Sequence, residues 1–360
     1  MAALDVLFRE MLSLDGSDLH LLQGQPPKIR LHGHVQVLEG REVLDGPTLE
    51  KMLSEVCGPR RWAQYKRTGD ADFAYQMGTE ARFRGNCYHH TFGHGGVFRV
   101  IPTEILSLEQ LNAPPILSKI MELTMGLVLV TGPTGSGKST TLAAMLNHLN
   151  ENKVLKILTL EDPIEFVHSS KRSIFLQREV HDHTESFSSG LRAALREDCD
   201  VILVGEMRDL ETISLAISAA ENGVLVMGTL HTNSAAKTVD RIVNVFPQGQ
   251  RAQVLNMLST SLRAIVSQQL LRKKGGEGRV AVHEILLTNT AARAAIREGA
   301  IARLNQVVMQ GRKQGMINFD AALRKTVDSG AVGAKDAFLK AFDKRSFLDL
   351  FGGKDPFEVT

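Results

Sequence analysis

The hydrophobic positions of this chain follow different patterns before and after about residue 105. Up to that point, short stretches of alternating or mixed polarity are separated by glycine and proline turns. From Met125 onward, short apolar runs alternate with amphipathic stretches of helical spacing. Such runs indicate buried strands of a parallel sheet, and the amphipathic stretches indicate crossover helices. We therefore predict an α/β fold built in two parts.

The first part is predicted to be one α/β domain over residues 1–105. Helices are expected at 4–14 and 48–57, the second with Thr48 as N-cap. Strands are expected at 19–22, 28–31, 35–38, 70–75, 81–88 and 97–102. The last two would form a hairpin around a loop that holds His89, His90 and His94. A metal site there is one hypothesis, but no Asp, Glu or Cys lies nearby in sequence, so a solvated loop is the favoured interpretation.

Proline residues and changes in the hydrophobic pattern divide the second part into segments. Pro114-Pro115 marks a linker at 106–120. A core is predicted over 121–288, a helical region over 289–343, and a loose tail over 344–360. Core strands are expected at 127–130, 156–160, 200–206, 224–230 and 279–287. Helices are expected at 141–149, 186–196, 210–222, 238–245, 251–271, 290–298, 301–314, 319–328 and 335–342.

Composition excludes several classes of protein. The net charge is +2 and aromatic residues make up 5%, which gives little support for nucleic-acid binding and leaves a RecA-type DNA translocase as a remote alternative. Three scattered cysteines without a C-x-x-C pair argue against a disulfide framework or a four-cysteine zinc site. Asp5 and Glu10 make the start a poor signal peptide, and no apolar run approaches a membrane span. A cytoplasmic protein is therefore expected.

One glycine-rich stretch fits the P-loop pattern G-x-x-x-x-G-K-[ST]. It lies between an apolar strand and a helix, which is the context that the motif requires. Its backbone N–H groups and the helix N-terminus would bind phosphate oxygens. Lys138 would reach the β- and γ-phosphates of ATP, and Ser139 would ligate Mg²⁺. The stretch is Gly132-Pro133-Thr134-Gly135-Ser136-Gly137-Lys138-Ser139-Thr140.

Three further candidates lie where predicted parallel strands end, which is the edge at which open α/β sheets bind ligands. Glu161 ends one strand and could act catalytically. Glu206 ends another, after Gly205 at a position where many P-loop proteins carry Asp, and it is the natural base for the attacking water. His231 follows a third strand, expected two strands from the P-loop, and could sense the γ-phosphate. Asp209 is expected to cap the helix at 210–222.

Four motifs in this order resemble the secretion ATPase superfamily, and within it the PilT/PilU-like retraction ATPases of type IV pili. The resemblance covers nearly the whole chain. The motifs are the P-loop, Thr159-Leu160-Glu161-Asp162-Pro163-Ile164-Glu165-Phe166, Val204-Gly205-Glu206-Met207-Arg208-Asp209-Leu210-Glu211-Thr212 and Gly228-Thr229-Leu230-His231-Thr232-Asn233.

The resemblance implies a PAS-like N-terminal domain, a RecA-like P-loop ATPase core and C-terminal helices. It also implies a homo-hexamer with shared ATP sites, docked peripherally on a platform protein of the inner membrane. Glu161 would belong to the Asp box, Glu206 to the atypical Walker B motif and His231 to the His box. Arg84 and Arg99 match arginines that reach a neighbour's nucleotide, in agreement with the need of a ring motor for charge supplied in trans.

Three departures from the family pattern leave the exact role open. Phe92 stands where PilT-type proteins often carry another arginine. The family's retraction-linked Ala-Ile-Arg-Asn-Leu-Ile-Arg-Glu motif survives only in part at 291–298. The tail also extends past the usual PilT end near Gly330. The last two features favour a PilU-like accessory motor that works with a paralogous retraction ATPase. A pilus-assembly or type II secretion ATPase is a further alternative.

Overall fold

The computed structural model describes residues 2–276 and 278–357. Predictions that touch Met1, Glu277 and residues 358–360 lie outside the described residues. The chain forms two units. The first consists of Met1–Ile105, Glu161–Val167 and Glu179–His183, and the second of Leu106–Leu160, His168–Arg178 and Thr184–Thr360.

The first unit is built on a six-stranded antiparallel sheet in the order β3-β2-β1-β6-β5-β4. Phe8 of the first helix stacks on Phe83 of the sheet, with 4.0 Å between ring centroids. The core of this unit lies between the helices and one face of the sheet. Its elements are α1 Asp5–Ser13, β1 Asp18–Leu22, β2 Lys28–Leu31, β3 His34–Val37, α2 Gly46–Cys57, α3 Pro59–Thr68, β4 Asp70–Met77, β5 Ala81–His90 and β6 Gly93–Ile101.

Two predictions for this unit are wrong. Helix α2 begins earlier than expected, because Asp45 is its N-cap and accepts a hydrogen bond from the backbone N–H of Thr48. The histidines do not lie in a solvated loop. They belong to strands β5 and β6, which pair up to His90 and Gly93, so that only a tight turn at Thr91 and Phe92 remains.

A buried arginine connects the segments of the first unit that are distant in sequence. Arg61 on α3 is 4% exposed. It donates to the carbonyl of Val180 at 2.9 Å, and it lies 3.2 Å from a carboxylate oxygen of Asp182 and 3.6 Å from one of Glu179. Burial raises the pKa of Glu179 to about 7. This cluster fastens Glu179–His183 to the N-terminal helices.

The second unit contains a seven-stranded sheet in the order β13-β12-β7-β11-β10-β8-β9. Strands β12, β7, β11, β10 and β8 are parallel, and β13 runs antiparallel to β12. The central strands β7, β11 and β10 are mostly apolar and are buried along their whole length, because helices cover both faces of the sheet. The strands are β7 Gly126–Thr131, β8 Lys156–Glu161, β9 Ile174–Glu179, β10 Val201–Val204, β11 Leu225–Leu230, β12 Leu262–Arg272 and β13 Arg279–Leu287.

The helices of this unit follow the expected alternation. Asp209 is the N-cap of α7, as predicted, and accepts from the backbone N–H of Thr212 at 2.8 Å. Among the described residues, no helix is long and apolar enough to cross a membrane. The helices are α4 Ile116–Ile120, α5 Lys138–Asn152, α6 Phe187–Ala194, α7 Leu210–Glu221, α8 Ala235–Val245, α9 Arg251–Ser261, α10 Thr290–Arg297, α11 Leu304–Gln310, α12 Phe319–Asp328 and α13 Ala334–Lys340.

Three further predictions need correction. The single helix expected over 251–271 is helix α9 followed by strand β12. The segment at 106–120 is not a free linker, since Leu108 and Leu117 are buried in the core of the second unit. The tail is not loose from its start: Lys344–Phe351 forms a 3₁₀ helix, and Phe347 is 1% exposed in a cluster with Phe338.

Candidate functional site

The P-loop connects β7 to α5, as the sequence predicts. Gly132, Gly135 and Gly137 have positive φ angles of 150°, 75° and 83°, which β-carbon-bearing residues rarely adopt. The crest at Pro133, Thr134 and Gly135 is exposed to solvent. The loop therefore has the open curvature in which backbone N–H groups can bind an anion.

Two side chains of the motif are placed for phosphate and metal. The ammonium of Lys138 folds back over the loop and donates to the carbonyls of Gly132 at 2.9 Å and Pro133 at 3.1 Å. Ser139 is exposed in the first turn of α5, and Thr140 beside it is partly exposed. Because three donors of an ammonium can exchange partners easily, phosphate oxygens can replace the two carbonyls.

Behind the loop lies a polar group that the sequence analysis missed. The side-chain amide of Gln268 on β12 donates to the carbonyl of Ser136 at 2.7 Å and accepts from the hydroxyl of Thr141 at 2.7 Å. The Nε2 of His283 lies 3.1 Å from the same amide oxygen, and burial lowers the pKa of His283 to about 4. The sequence pattern predicts one helix over residues 251–271. It therefore does not place Gln268 on a strand beside the P-loop.

Glu206 and His231 meet at the ends of adjacent strands. The Oε1 of Glu206 lies 3.0 Å from Nε2 of His231, and Arg208 contacts the same oxygen. The Glu206 side chain is 20% exposed and that of His231 is 45% exposed. Strand β11 lies directly between β10 and β7, so His231 is one strand from the P-loop rather than the expected two. The two residues predicted as general base and γ-phosphate sensor are therefore in direct contact.

Glu161 is the last residue of β8, the strand next to β10. Its carbonyl accepts from the backbone N–H of Val180 at 2.8 Å, which ties this strand end to the segment that Arg61 holds. Glu161 lies at a strand end, as the sequence predicts, and Glu206 follows the end of the neighbouring strand β10. Asp200 lies at the opposite end of β10, where its carboxylate accepts from the backbone N–H of Lys156 at 2.7 Å.

Arg84 and Arg99 face each other across strands β5 and β6. Arg84 lies 3.4 Å from a carboxylate oxygen of Glu165. Arg99 donates to the buried carboxylate of Asp18 at 2.8 Å, although its own side chain is 70% exposed. Burial alone would raise the pKa of Asp18, but the hydrogen bonds from Ser17 and Arg99 outweigh it and the pKa is lowered. Both arginines thus have partners within their own chain.

The histidines of the β5–β6 hairpin pack on an aromatic side chain. Nδ1 of His94 lies 2.5 Å from the hydroxyl of Tyr65, and His89 packs edge-on against His94. Burial lowers the pKa of His94. Phe92, at the turn, is 77% exposed. Within the part of the chain that the structure describes, no three His, Cys, Asp or Glu side chains are grouped as metal ligands.

Comparison with known proteins identifies the family. The model of the type II/IV secretion system protein family matches residues 97–338. A twitching motility protein of Neisseria gonorrhoeae is 50% identical over 89% of this chain and 85% of its own length. The type IV pilus retraction ATPase PilT of Pseudomonas aeruginosa is 48% identical, over 90% and 94%. The type IV pilus ATPase PilU of the same organism is 37% identical, over 93% and 87%.

A solved structure agrees with these relatives. The crystal structure of the pilus retraction motor PilT with bound ADP matches with a TM-score of 0.88 and 40% identity, over 96% of this chain and 98% of that chain. This agreement confirms the predicted fold, with an N-terminal α/β domain followed by a P-loop ATPase core. The chain therefore belongs to the type II/IV secretion system protein family, and within it to the group of PilT-like pilus retraction ATPases.

Proposed function

We propose that this protein is an ATP-hydrolysing motor that drives type IV pilus retraction. The observation that carries the proposal is that a complete P-loop follows β7 and that the Glu206–His231 pair follows the next two strands of the same sheet, β10 and β11. The chain's 48% identity to PilT supports this function, and its lower 37% identity to PilU favours a principal motor over an accessory one. The partial motif at 291–298 and the long tail had favoured the opposite choice.

The nucleotide site fits ATP on its own chemistry. A β-carbon at Gly132 would lie 2.2 Å from the carbonyl oxygen of Gln268, so the loop can keep its shape only with glycine there. The hydroxyl of Ser136 is buried, and among the described residues it has no hydrogen-bond partner. A glycine-rich loop that combines the buried hydroxyl of Ser136 with the ammonium of Lys138 is suited to bind a polyphosphate.

Each predicted residue then has a role in hydrolysis. Lys138 and the loop N–H groups bind and orient the β- and γ-phosphates. Ser139 would hold Mg²⁺, which neutralises the charge that develops on the phosphate oxygens. Glu206 accepts a proton from the attacking water, and His231, in contact with it, senses the γ-phosphate. Glu161, at the next strand end, contributes a second carboxylate to this edge of the sheet.

The assembly is proposed from the resemblance to the retraction ATPases and from the need of a ring motor for charge supplied in trans. We infer a homo-hexamer in which Arg84 and Arg99 supply positive charge to a neighbouring subunit's nucleotide. Such a ring would dock peripherally on the cytoplasmic side of the inner membrane, against a platform protein of the pilus machine. The exposed side chain of Arg99 supports this role, because one guanidinium can pair with Asp18 and still present further N–H donors.

The test combines turnover with motility. The purified protein is expected to hydrolyse ATP, and Glu206→Gln is expected to lower kcat by a factor of about 10² to 10⁴ because the general base is lost. Binding of ADP should be retained. Cells without the gene should lose twitching and carry many static pili. Unchanged turnover in Glu206→Gln would exclude this base, and normal twitching would indicate an accessory role.

A further inference from the structure

Gln268 makes three hydrogen bonds that leave its amide one orientation. It is 2% exposed on β12. Its nitrogen donates to the Ser136 carbonyl, and its oxygen accepts from Thr141 and faces Nε2 of His283. A flipped amide would place its oxygen against the Ser136 carbonyl oxygen, where two acceptors repel each other, and would leave that carbonyl without its donor. The network thus fixes the amide, and the amide in turn fixes one peptide group of the P-loop.

That peptide group joins Ser136 to Gly137. In a trans peptide the C=O and the following N–H point in opposite directions. Because the Ser136 carbonyl is directed at buried Gln268, the N–H of Gly137 is directed away from the buried side of the loop. Backbone N–H groups aimed in this way are the donors that a phosphate-binding loop offers.

The close fit of the loop on β12 agrees with this arrangement. A β-carbon at Gly137 would lie 2.9 Å from the side-chain nitrogen of Gln268, and one at Gly132 would lie 2.2 Å from its carbonyl oxygen. The side chain and the main chain of Gln268 therefore both pack against glycines of the P-loop. One strand residue supports the loop at two points.

We propose that Gln268 is a positioning residue of the nucleotide site, which holds the Ser136–Gly137 peptide in the orientation that offers the Gly137 N–H to phosphate. The inference rests on the proposed function, because it concerns how the same site binds ATP and ADP. Thr141 and His283 fix the orientation of Gln268 and act through it.

The decisive variant is Gln268→Glu, which keeps the size of the side chain and its acceptor oxygens but removes the N–H donor. We expect the Kd for fluorescent N-methylanthraniloyl-ADP to rise about tenfold to a hundredfold, since a buried carbonyl loses its donor. The KM for ATP should rise in parallel, with kcat changed less than about twofold, because binding to ground state and transition state is weakened alike.

Two comparisons separate this role from a general loss of structure. Gln269→Glu places the same carboxylate on the opposite face of β12, at a residue 7% exposed, and should leave the Kd unchanged. Thr141→Val removes one hydrogen bond that orients Gln268 and should raise the Kd about threefold to tenfold. Melting temperatures establish that each variant is folded.

The outcomes distinguish the inference from the proposed function. If the unmodified protein neither binds N-methylanthraniloyl-ADP nor hydrolyses ATP, the proposed function fails. If it does both and folded Gln268→Glu has an unchanged Kd, the positioning role of Gln268 is overturned. A reduced kcat with an unchanged Kd would also overturn it, because that result indicates a smaller active fraction. If Gln268→Glu does not fold, an unchanged Kd in Thr141→Val overturns it.

Discussion

The buried histidine behind the P-loop makes the protein sensitive to mild acid. His283 is 6% exposed, and burial lowers its pKa from 6.5 to about 4. Between these values the unfolded chain binds a proton at this residue and the folded chain does not, so stability falls as pH falls. Above about pH 7.5 both states are essentially neutral and the residue makes almost no contribution. His283→Gln should remove this dependence.

The size of the effect follows from the two pKa values. A difference of about 2.5 units corresponds to about 3.4 kcal/mol once pH is below both values. Between about pH 7.5 and pH 5.5, only the first part of that loss is expressed, about 1.3 kcal/mol. The unmodified protein should therefore lose about 1.3 kcal/mol more free energy of unfolding over this range than His283→Gln.

The assay is urea unfolding followed by circular dichroism at both pH values. The compared quantity is the change with pH, so any constant cost of the substitution cancels. His168 is a matched second case: it stacks on Phe175 at 4.2 Å, and burial, with a smaller effect from Lys171, lowers its pKa to about 4. His168→Gln should reduce the acid loss by a similar amount. Equal losses in His283→Gln and the unmodified protein would refute the reasoning.

Three other substitutions test the packing described above. Gly132→Ala should weaken ADP binding at least about tenfold in a fluorescence titration, because the new β-carbon meets the Gln268 carbonyl at 2.2 Å. Phe347→Ala should cost about 3 kcal/mol of local stability and expose the C-terminal 3₁₀ helix to limited proteolysis; an unchanged cleavage pattern would contradict its buried position. Arg61→Met should destabilise the first unit by about 3–5 kcal/mol, because Glu179 loses a buried partner. The free energy of unfolding can be measured through the fluorescence of the single tryptophan.

Local chemistry explains what the sequence could predict. A P-loop needs glycines, a lysine and a hydroxyl at fixed spacing, and apolar runs identified the strands around it. Glu161 at the end of β8 and Glu206 after β10 could be placed at one edge because parallel strands end together. These inferences needed only the order of residues, and the described elements agree with them.

What could not be predicted depends on partners distant in the chain. The apolar stretch after Ser261 has no strict alternation, because β12 is covered on both faces, and such a stretch can also be a buried helix. Pairing with β7 and β13 makes it a strand. The role of Gln268 follows only from that pairing. The docking of the tail likewise depends on the pocket around Phe347, which no local pattern reveals.

The segments Glu161–Val167 and Glu179–His183 have a consequence for recombination between relatives. The first continuous stretch of the first unit ends at residue 105, but its buried Arg61 pairs with Glu179 and Asp182, which come later in the chain. A crossover at residue 105 would transfer Arg61 without this chain's own Glu179 and Asp182, so its pairing would depend on the other parent's residues at those two positions. Chimaeras of such ATPases should therefore fold best when both short segments come from the same parent as the N-terminal unit. The three segments of the first unit should therefore be exchanged together, although they are separate stretches of the coding sequence.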